Sequence, residues 1–178
     1  MPNWCYNSVE IYKNEDGQKL IDAFVGGKPF ETLMPCPAEL HVTAGFFGEG
    51  TEEQKKMEEL YASNKEKYGF QHWYDWCWAK WGVKWDASDI DVTDHPESDT
   101  VLIHYQTAWN DAGGFFQHVA EILPKAIFVN EYSEEGCAFA GYNLNGVNGY
   151  QEESWEVHEA PRIEDLIEEL DEETKSSV

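Results

Sequence analysis

The chain has 178 residues, of which 42% are hydrophobic and 15% aromatic, and its formal net charge is −23 at pH 7. This size suits a single domain with a substantial core, with or without appendages. The charge argues against a surface that attracts nucleic acid or lipid phosphates, and it favours a basic protein partner. Solubility alone, or a high-salt habitat, would also account for it.

The cysteines and the apolar segments predict a cytoplasmic protein with free thiols. Cys5, Cys36, Cys77 and Cys137 are widely spaced, with no CxxC pair and no metal-ligand spacing. No signal peptide precedes Trp4, and no apolar run approaches the ~20 residues that a membrane helix needs.

The first predicted unit is a strand followed by a helix. Alternation over residues 3–13 predicts a strand with Cys5, Val9 and Ile11 on one face. A turn at residues 14–17 leads to a helix that ends at Gly26. The apolar stripe of this helix comprises Leu20, Ile21, Phe24 and Val25.

The next segment changes from loop to helix. Pro29, Pro35 and Pro37 predict extended or looped chain over residues 30–40, because proline removes a donor and restricts its predecessor. Residues 41–50 are glycine-rich and are expected to be mobile. Thr51 followed by Gln54 three residues later matches a capping box, which predicts a helix to about residue 64.

A tryptophan-rich run follows at residues 72–86. It contains five of the eight tryptophans, namely Trp73, Trp76, Trp78, Trp81 and Trp85. Steps of three and four residues predict a helix that ends at Gly82 and leads into a strand. We interpret the indoles as core. The alternative is an exposed aromatic platform that stacks nucleobases. Such a platform needs basic side chains nearby to bind the phosphates, and only Lys80 and Lys84 are close.

The remaining pattern completes the predicted fold. Strands are expected at residues 83–91, 100–108, 126–133, 137–143 and 149–157, with a helix at residues 115–123. The order is βαββαβ, so we predict an α+β, ferredoxin-like antiparallel sheet with its helices on one face. A helical insertion falls at about residues 51–82, two extra strands follow, and the predicted domain spans residues 1–157.

Residues 158–178 are predicted to form a separate acidic helix and tail. Ile163, Leu166, Ile167 and Leu170 form an apolar stripe at helical spacing. The exposed face of this helix, which is the predicted partner-binding surface, would carry Glu164, Asp165, Glu168, Glu169, Asp171 and Glu172. The alternative is a solvated helix that docks by its apolar side.

Four local motifs stand out together. They are residues 1–5 with Asn7, Trp81-Gly82 with residues 84–86, Thr107-Ala108-Trp109, and Tyr132 with Glu134 or Glu135, Gly136 and residues 139–141. In combination they resemble the YubB ferredoxin-like family of phage and plasmid domains of unknown function. The resemblance spans roughly residues 1–157. It implies a ferredoxin-like fold and a phage or mobile-element origin, and it implies no catalytic residues. The family usually has prolines where this chain has residues 110–112.

The sequence contains few candidate catalytic or metal-binding residues. The chain lacks the P-loop, GxSxG, HExxH and zinc-deaminase motifs. His104 and His118, with Glu121 or Asp111 nearby, could form a metal or acid–base site, and Asp89 with Asp91 could bind a cation. Histidines of this kind are more often structural. We therefore expect no catalytic residues, no metal and no cofactor.

The predicted function is that of a non-enzymatic acidic binding protein. Its carboxylate-rich surface would occupy the basic nucleic-acid site of a host protein such as a defence nuclease, without binding nucleic acid or membrane itself. The alternatives are a metal-dependent or hydrolytic enzyme that uses His104 and His118, a nucleic-acid module whose sheet stacks bases, and a structural accessory protein, for example a homodimer.

Overall fold

The computed structural model describes residues 3–136 and 138–156. The strands are β1 Trp4–Tyr12, β2 Ser88–Asp94, β3 Thr100–Ala108, β4 Phe128–Glu134, β5 Phe139–Gly146 and β6 Gly149–Glu156. The helices are α1 Glu15–Val25, α2 Pro29–Leu33, α3 Glu52–Tyr68, α4 Trp73–Lys80 and α5 Gly113–Ile122, with a 3-10 turn at Ala38–Leu40.

The six strands form one antiparallel sheet in the order β2-β3-β1-β4-β5-β6. The first four strands, with α1 and α5 as crossovers, give the βαββαβ ferredoxin-like arrangement. Strands β5 and β6 extend the sheet beyond β4. The predicted fold class is therefore confirmed, including the helical insertion before β2 and the two extra strands.

The helices cover one face of the sheet, which we call the covered face. Alternation places every second residue of β1 and β3 in the core, because successive side chains point to opposite faces. Ring contacts join the layers: Phe24 of α1 lies 5.1 Å from Tyr105 of β3, and Phe116 of α5 lies 5.1 Å from Phe128 of β4. Val25, predicted to be part of the α1 stripe, is instead 64% exposed at the last residue of the helix.

Residues 29–33 form a helix where the prolines predicted extended chain. Pro29 stands in the first turn, where the missing N–H costs nothing. The carboxylate of Asp86 caps this helix, since it accepts from the backbone N–H groups of Phe30 and Glu31 at 3.1 and 2.9 Å. The cap comes from more than fifty residues away along the chain, so the local pattern could not reveal it.

The insertion contains α3 and α4. Thr51 caps α3 as predicted, because its Oγ1 accepts from the N–H of Gln54 at 3.1 Å. The side chain of Gln54 accepts from the N–H of Phe47 at 2.9 Å. Helix α3 runs past the predicted end to Tyr68 and ends at Gly69, which has a φ of +81°. Its one buried side chain is Asn64.

Helix α4 places the tryptophans in different environments. Trp76 and Trp81 are buried, and the Nε1 of Trp81 donates to the carbonyl oxygen of Met34 at 2.9 Å. Trp85 is 45% exposed. The strand predicted to start at residue 83 begins at Ser88. Just before it, the carboxylate of Asp86 accepts from the N–H of Ala87 at 2.8 Å as well as from the N–H groups of α2. Within the described residues, no helix is long and apolar enough to cross a membrane.

Candidate functional site

A polar groove lies between the start of α5 and strand β6, and we call it the α5–β6 groove. Its volume is about 380 Å³, and its lining includes Gly82, Asp111, Gly113, Tyr132, Glu152 and Ser154. A second hollow of about 400 Å³ shares Asp111, Tyr132 and Ser154 and continues toward Trp155. The groove lies on the covered face beside β6, the last strand in the sheet order, which contacts the start of α5.

A pinned loop between β3 and α5 positions Asp111. Trp109 adopts a φ of +74°, in the left-handed region that non-glycine residues rarely occupy. Its N–H donates to the carbonyl oxygen of Asn3 at 2.9 Å, and the carbonyl oxygen of Asn110 accepts from Thr107 Oγ1 at 2.7 Å. Asn110 Nδ2 donates in turn to the carbonyl oxygen of Gly82 at 3.3 Å. These bonds fix the direction in which Asp111 enters the groove.

Asp111 and Glu152 face each other across Gly113. A methyl group at Gly113 would lie 2.9 Å from Oδ2 of Asp111 and 3.3 Å from Oε2 of Glu152, so the space between the two carboxylates exists because this residue is glycine. Burial raises the pKa of Asp111, and the nearby Glu152 raises it further. Hydrogen bonds from Asn143 and from the N–H of Gly113 act in the opposite direction.

Two tyrosines belong to the groove region: Tyr132 lines the groove, and Tyr150 contacts the lining residues Glu152 and Gly113. The Oη of Tyr150 lies 2.9 Å from Oε2 of Glu152 and 3.2 Å from the carbonyl oxygen of Gly113. Burial raises the pKa of both Tyr150 and Tyr132 above the usual value, so both phenols are neutral near pH 7. The groove is therefore lined by the carboxylates of Asp111 and Glu152 and by the neutral Tyr132, and the neutral Tyr150 bonds Glu152.

A buried hydrogen-bond network connects the groove to the centre of the sheet. Asn130 Nδ2 donates to Oδ1 of Asn7 at 3.3 Å and to Oδ1 of Asn143 at 3.1 Å, while its Oδ1 accepts from Tyr105 Oη at 3.0 Å. Asn143 Nδ2 lies 3.4 Å from Oδ2 of Asp111. Because buried amides without partners are costly, this network fixes the orientation of the groove side chains.

The sequence motifs quoted for the family resemblance meet around this groove. Gly82 and Tyr132 line it, and Trp109 precedes the loop that carries Asp111. A side chain at Gly141 would overlap the carbonyl oxygen of Glu153 and the hydroxyl of Tyr132, so glycine is required there for β5 and β6 to pair beside the groove. Sequence reasoning did not identify Asp111 and Glu152 as a pair.

The opposite surface of the sheet, which we call the open sheet face, carries carboxylates and aromatic rings. Strand pairing aligns one row across all six strands, comprising Asp91, His104, Ser8, Glu131, Tyr142 and Glu153. A hollow of about 340 Å³ is lined by Tyr6, Ser8, His104 and Glu131. Among the described residues, the strand positions on this face include no lysine and no arginine.

An exposed indole pair lies beside the groove loop. Trp85 and Trp109 are 45% and 39% exposed, and the Nζ of Lys84 lies 3.9 Å and 5.9 Å from the centres of their rings. This lysine is thus held against aromatic surface by cation–π attraction.

The structure does not bring the predicted histidine site together. His104 lies on the open sheet face, whereas His118 belongs to α5 on the covered side, where its Nδ1 is 3.9 Å from Oε2 of Glu121. The sheet thus separates the two imidazoles, and Asp111 lies in the groove. Asp89 and Asp91 are both exposed on β2. Within the described ranges, no cluster of three or more His, Cys, Asp or Glu side chains could hold a metal ion.

The predicted core cysteine lies within the described residues, and the predicted partner-binding carboxylates do not. Cys5 packs in the core as expected, and burial raises its pKa to about 12, so the thiol is un-ionised near neutral pH. The six partner-binding carboxylates lie outside the described residues. They are Glu164, Asp165, Glu168, Glu169, Asp171 and Glu172.

Comparisons with known proteins give a family and a distant structural likeness. The model of the family described as "Ferredoxin-like domain in Api92-like protein" matches residues 80–177. The chain is similar to the crystal structure of a protein api92 from Yersinia pseudotuberculosis, with a TM-score of 0.49 and 8% identity over 91% of this chain and 100% of that one. No curated protein matches the chain in sequence.

Proposed function

The chain belongs to the family of ferredoxin-like domains in Api92-like proteins, and we propose that it is a non-enzymatic binding protein that engages a basic surface of another protein. The observation that carries this proposal is the composition of the open sheet face. Four carboxylates stand on it, from Glu10, Asp91, Glu131 and Glu153, and no lysine or arginine accompanies them in the described strands.

The chemistry of this face suits a cationic recipient. Tyr6 and Tyr12 are 51% and 42% exposed, and exposed tyrosine rings attract ammonium and guanidinium groups. Neighbouring strands are ~4.8 Å apart, so the aligned row of six residues extends over roughly 24 Å. A row of that length can contact several basic side chains of one partner, and the sheet holds its carboxylates in fixed positions.

We propose further that the recipient is a nucleic-acid-binding or defence protein of a host cell, with the chain acting as an inhibitor encoded by a phage or mobile element. Two observations support this. The formal charge of −23 gives the chain the sign of a nucleic acid. The sequence motifs resemble those of the YubB family, and that resemblance implies a phage or plasmid origin. The predicted acidic face at residues 158–178 would add six further carboxylates.

The alternatives have less support. An enzyme that uses His104 and His118 together has no common site, because the two imidazoles lie on opposite sides of the sheet. A nucleic-acid module that stacks bases on the open sheet face would bring phosphates toward Glu10, Asp91 and Glu131. Carboxylates that have no lysine or arginine beside them repel phosphate groups.

The test compares two baits of equal charge. One carries Glu10→Gln, Asp91→Asn, Glu131→Gln and Glu153→Gln on the open sheet face. The other carries Glu53→Gln, Glu59→Gln, Glu66→Gln and Glu97→Gln at exposed positions elsewhere. Proteins captured from a bacterial lysate are identified, purified and titrated with the chain while their affinity for labelled duplex DNA is followed by fluorescence anisotropy.

We expect the unchanged chain and the second bait to displace DNA, and the open-face variant to lose most of that competition. An equal loss of DNA competition by the two variants would mean that the interaction depends on net charge alone. Equal retention by both would remove the open sheet face from the proposal, and a fourth bait with Glu164, Asp165, Glu168 and Glu169 changed to lysine would then show whether the C-terminal segment is responsible.

A further inference from the structure

We infer that the α5–β6 groove binds a guanidinium group, so that an arginine side chain of the partner enters between Asp111 and Glu152. This inference rests on the proposed function and names a contact outside the open sheet face. It combines three features of the groove, namely uncompensated charge, space kept open by glycine, and hydrogen-bonding groups that match a planar cation.

The charge in the groove is uncompensated. Neither Asp111 nor Glu152 forms an ion pair within the described part of the chain, and no lysine or arginine lines the groove. A partly buried carboxylate without a counter-charge is unfavourable, because desolvation is not repaid by attraction. The ammonium of Lys84 lies over the rings of Trp85 and Trp109, 3.9 and 5.9 Å from their centres.

The space between the carboxylates is open for a structural reason. Gly113 lies between them, and any side chain there would come within 3.3 Å of both carboxylates. Gly82 on the facing segment has a φ of +86° and approaches the carbonyl oxygen of Asp111, so the groove wall is also built from backbone. The resulting volume of about 380 Å³ exceeds that of one arginine side chain, which leaves room for the adjacent backbone.

The acceptors suit arginine better than a metal ion. A guanidinium is planar and has five N–H donors, which two carboxylates and a phenolic oxygen can accept together. Tyr132 also lines the groove, and its phenolic oxygen adds a neutral polar group there. A divalent metal needs several oxygen ligands converging at ~2.0–2.6 Å, and the described residues hold no such cluster.

A second copy of the chain is a poor occupant of this surface. Strand β6 forms one edge of the sheet, and an edge can pair with another β6. That pairing would bring Glu152, Glu153 and Glu156 of two copies together, and like charges in directly opposed strands are destabilising. The charge complementarity of the groove therefore favours a basic partner.

The experiment uses short peptides as probes and the full chain as receptor. Acetyl-Gly-Arg-Gly-amide, its citrulline analogue and its lysine analogue are titrated into isotope-labelled protein, and amide chemical shifts are followed. Citrulline keeps the shape of arginine and removes the charge. We expect the arginine peptide to shift the amides of residues 111–114 and of β6, the lysine peptide to bind more weakly, and the citrulline peptide to give no saturable shift.

Three variants test the assignment. Glu152→Gln and Asp111→Asn each remove one charge, and Gly113→Ala fills the space between the carboxylates. We expect each variant to weaken arginine-peptide binding by about tenfold or more, because the first two lose a charge-assisted hydrogen bond and the third blocks the space that the guanidinium would occupy. Glu59→Gln on α3 removes the same charge elsewhere and is expected to leave binding unchanged. Glu152 lies on an exposed strand, so its variant tests the groove without risk to folding.

Other outcomes would overturn the inference. Shifts spread over α3 and the open sheet face, or equal weakening by Glu59→Gln, would mean unspecific attraction to acidic surface. Saturable Ca²⁺ or Mg²⁺ binding at residues 111–152 that excludes the peptide would make the groove a metal site. The proposed function remains separately testable, because the open-face variant keeps Asp111, Gly113 and Glu152 and is expected to lose DNA competition even if the groove binds no arginine.

Discussion

The two faces of the sheet are built from the same strands and differ in almost every physical respect. The covered face is mostly apolar beneath the helices, and a line of buried amides crosses it from Asn7 on β1 through Asn130 on β4 to Asn143 on β5, beside the groove. The open sheet face carries exposed carboxylates and tyrosines. The comparison shows that alternation along a strand decides which face carries a residue, and that a buried position can be polar where its hydrogen-bond partners are present.

The largest expected effect lies on the covered face beneath the helices. Phe116→Ala removes a fully buried ring that packs 5.1 Å from Phe128 and 5.3 Å from Phe115. We expect the free energy of unfolding, measured by urea titration, to fall by about 3–5 kcal/mol because a cavity remains. Tyr6→Ala on the open sheet face is the control and should cost less than about 1 kcal/mol. Similar losses at the two positions would contradict the division into faces.

A smaller loss is expected where the covered face turns polar. Asn130→Ala removes the amide that bonds Asn7, Tyr105 and Asn143 together, and it leaves their polar groups buried without partners. The expected loss is about 1–3 kcal/mol in the same urea titration. Ser133→Ala, on the open side of the same strand, should change stability by no more than about 0.5 kcal/mol. An unchanged midpoint for Asn130→Ala would mean that the network does not hold the groove in place.

The sequence predicted the strands and helices well where the signal was local. Strand β3 was expected at residues 100–108 and is found there, because an unbroken alternation of Val101, Ile103, Tyr105 and Thr107 records its buried face. The predictions for residues 29–33 and for the start of β2 were wrong for a single reason. The carboxylate of Asp86 caps a helix formed by residues 29–33, and a contact between such distant residues leaves no local trace.

The candidate site was harder to predict than the fold. The α5–β6 groove combines a loop after β3, a glycine before β2 and two further strands, so no short stretch of the sequence contains all of its residues. One signal was present. Asn7, Asn130 and Asn143 occupy inward positions of strands that otherwise alternate apolar and polar residues. An inward asparagine needs a partner, so three of them indicate a buried network beside a site.

The pH dependence of stability separates the groove from the open sheet face. The pKa of Asp111 is raised in the folded protein by burial, so folding favours its protonated form. Its unfavourable effect is therefore absent at low pH and develops as pH rises from the unfolded pKa through the folded one. We expect Asp111→Asn to increase the free energy of unfolding at pH 7 and to leave it nearly unchanged at pH 3. Urea titrations across this range provide the measurement.

The control for that experiment is Glu131→Gln, which removes one negative charge from the open sheet face. If this variant reproduces the pH dependence of Asp111→Asn, the effect belongs to net charge and the groove carboxylate is not special. A gain at neutral pH together with weaker binding of the arginine peptide would show that Asp111 lowers stability while it serves recognition, as binding sites often do.

The smallest expected effect is on the open sheet face itself. Neutralising Glu10, Asp91, Glu131 and Glu153 together relieves repulsion, but it also weakens two hydrogen bonds. Glu10 accepts from Thr100 at 2.7 Å and Glu153 from Tyr142 at 3.1 Å. Because exposed charges interact weakly in water, we expect a net change within about 1 kcal/mol at low salt that disappears by roughly 1 M salt. A large, salt-independent loss would mean that these carboxylates hold the sheet together, and the contrast between a structural face and a recognition face would fail.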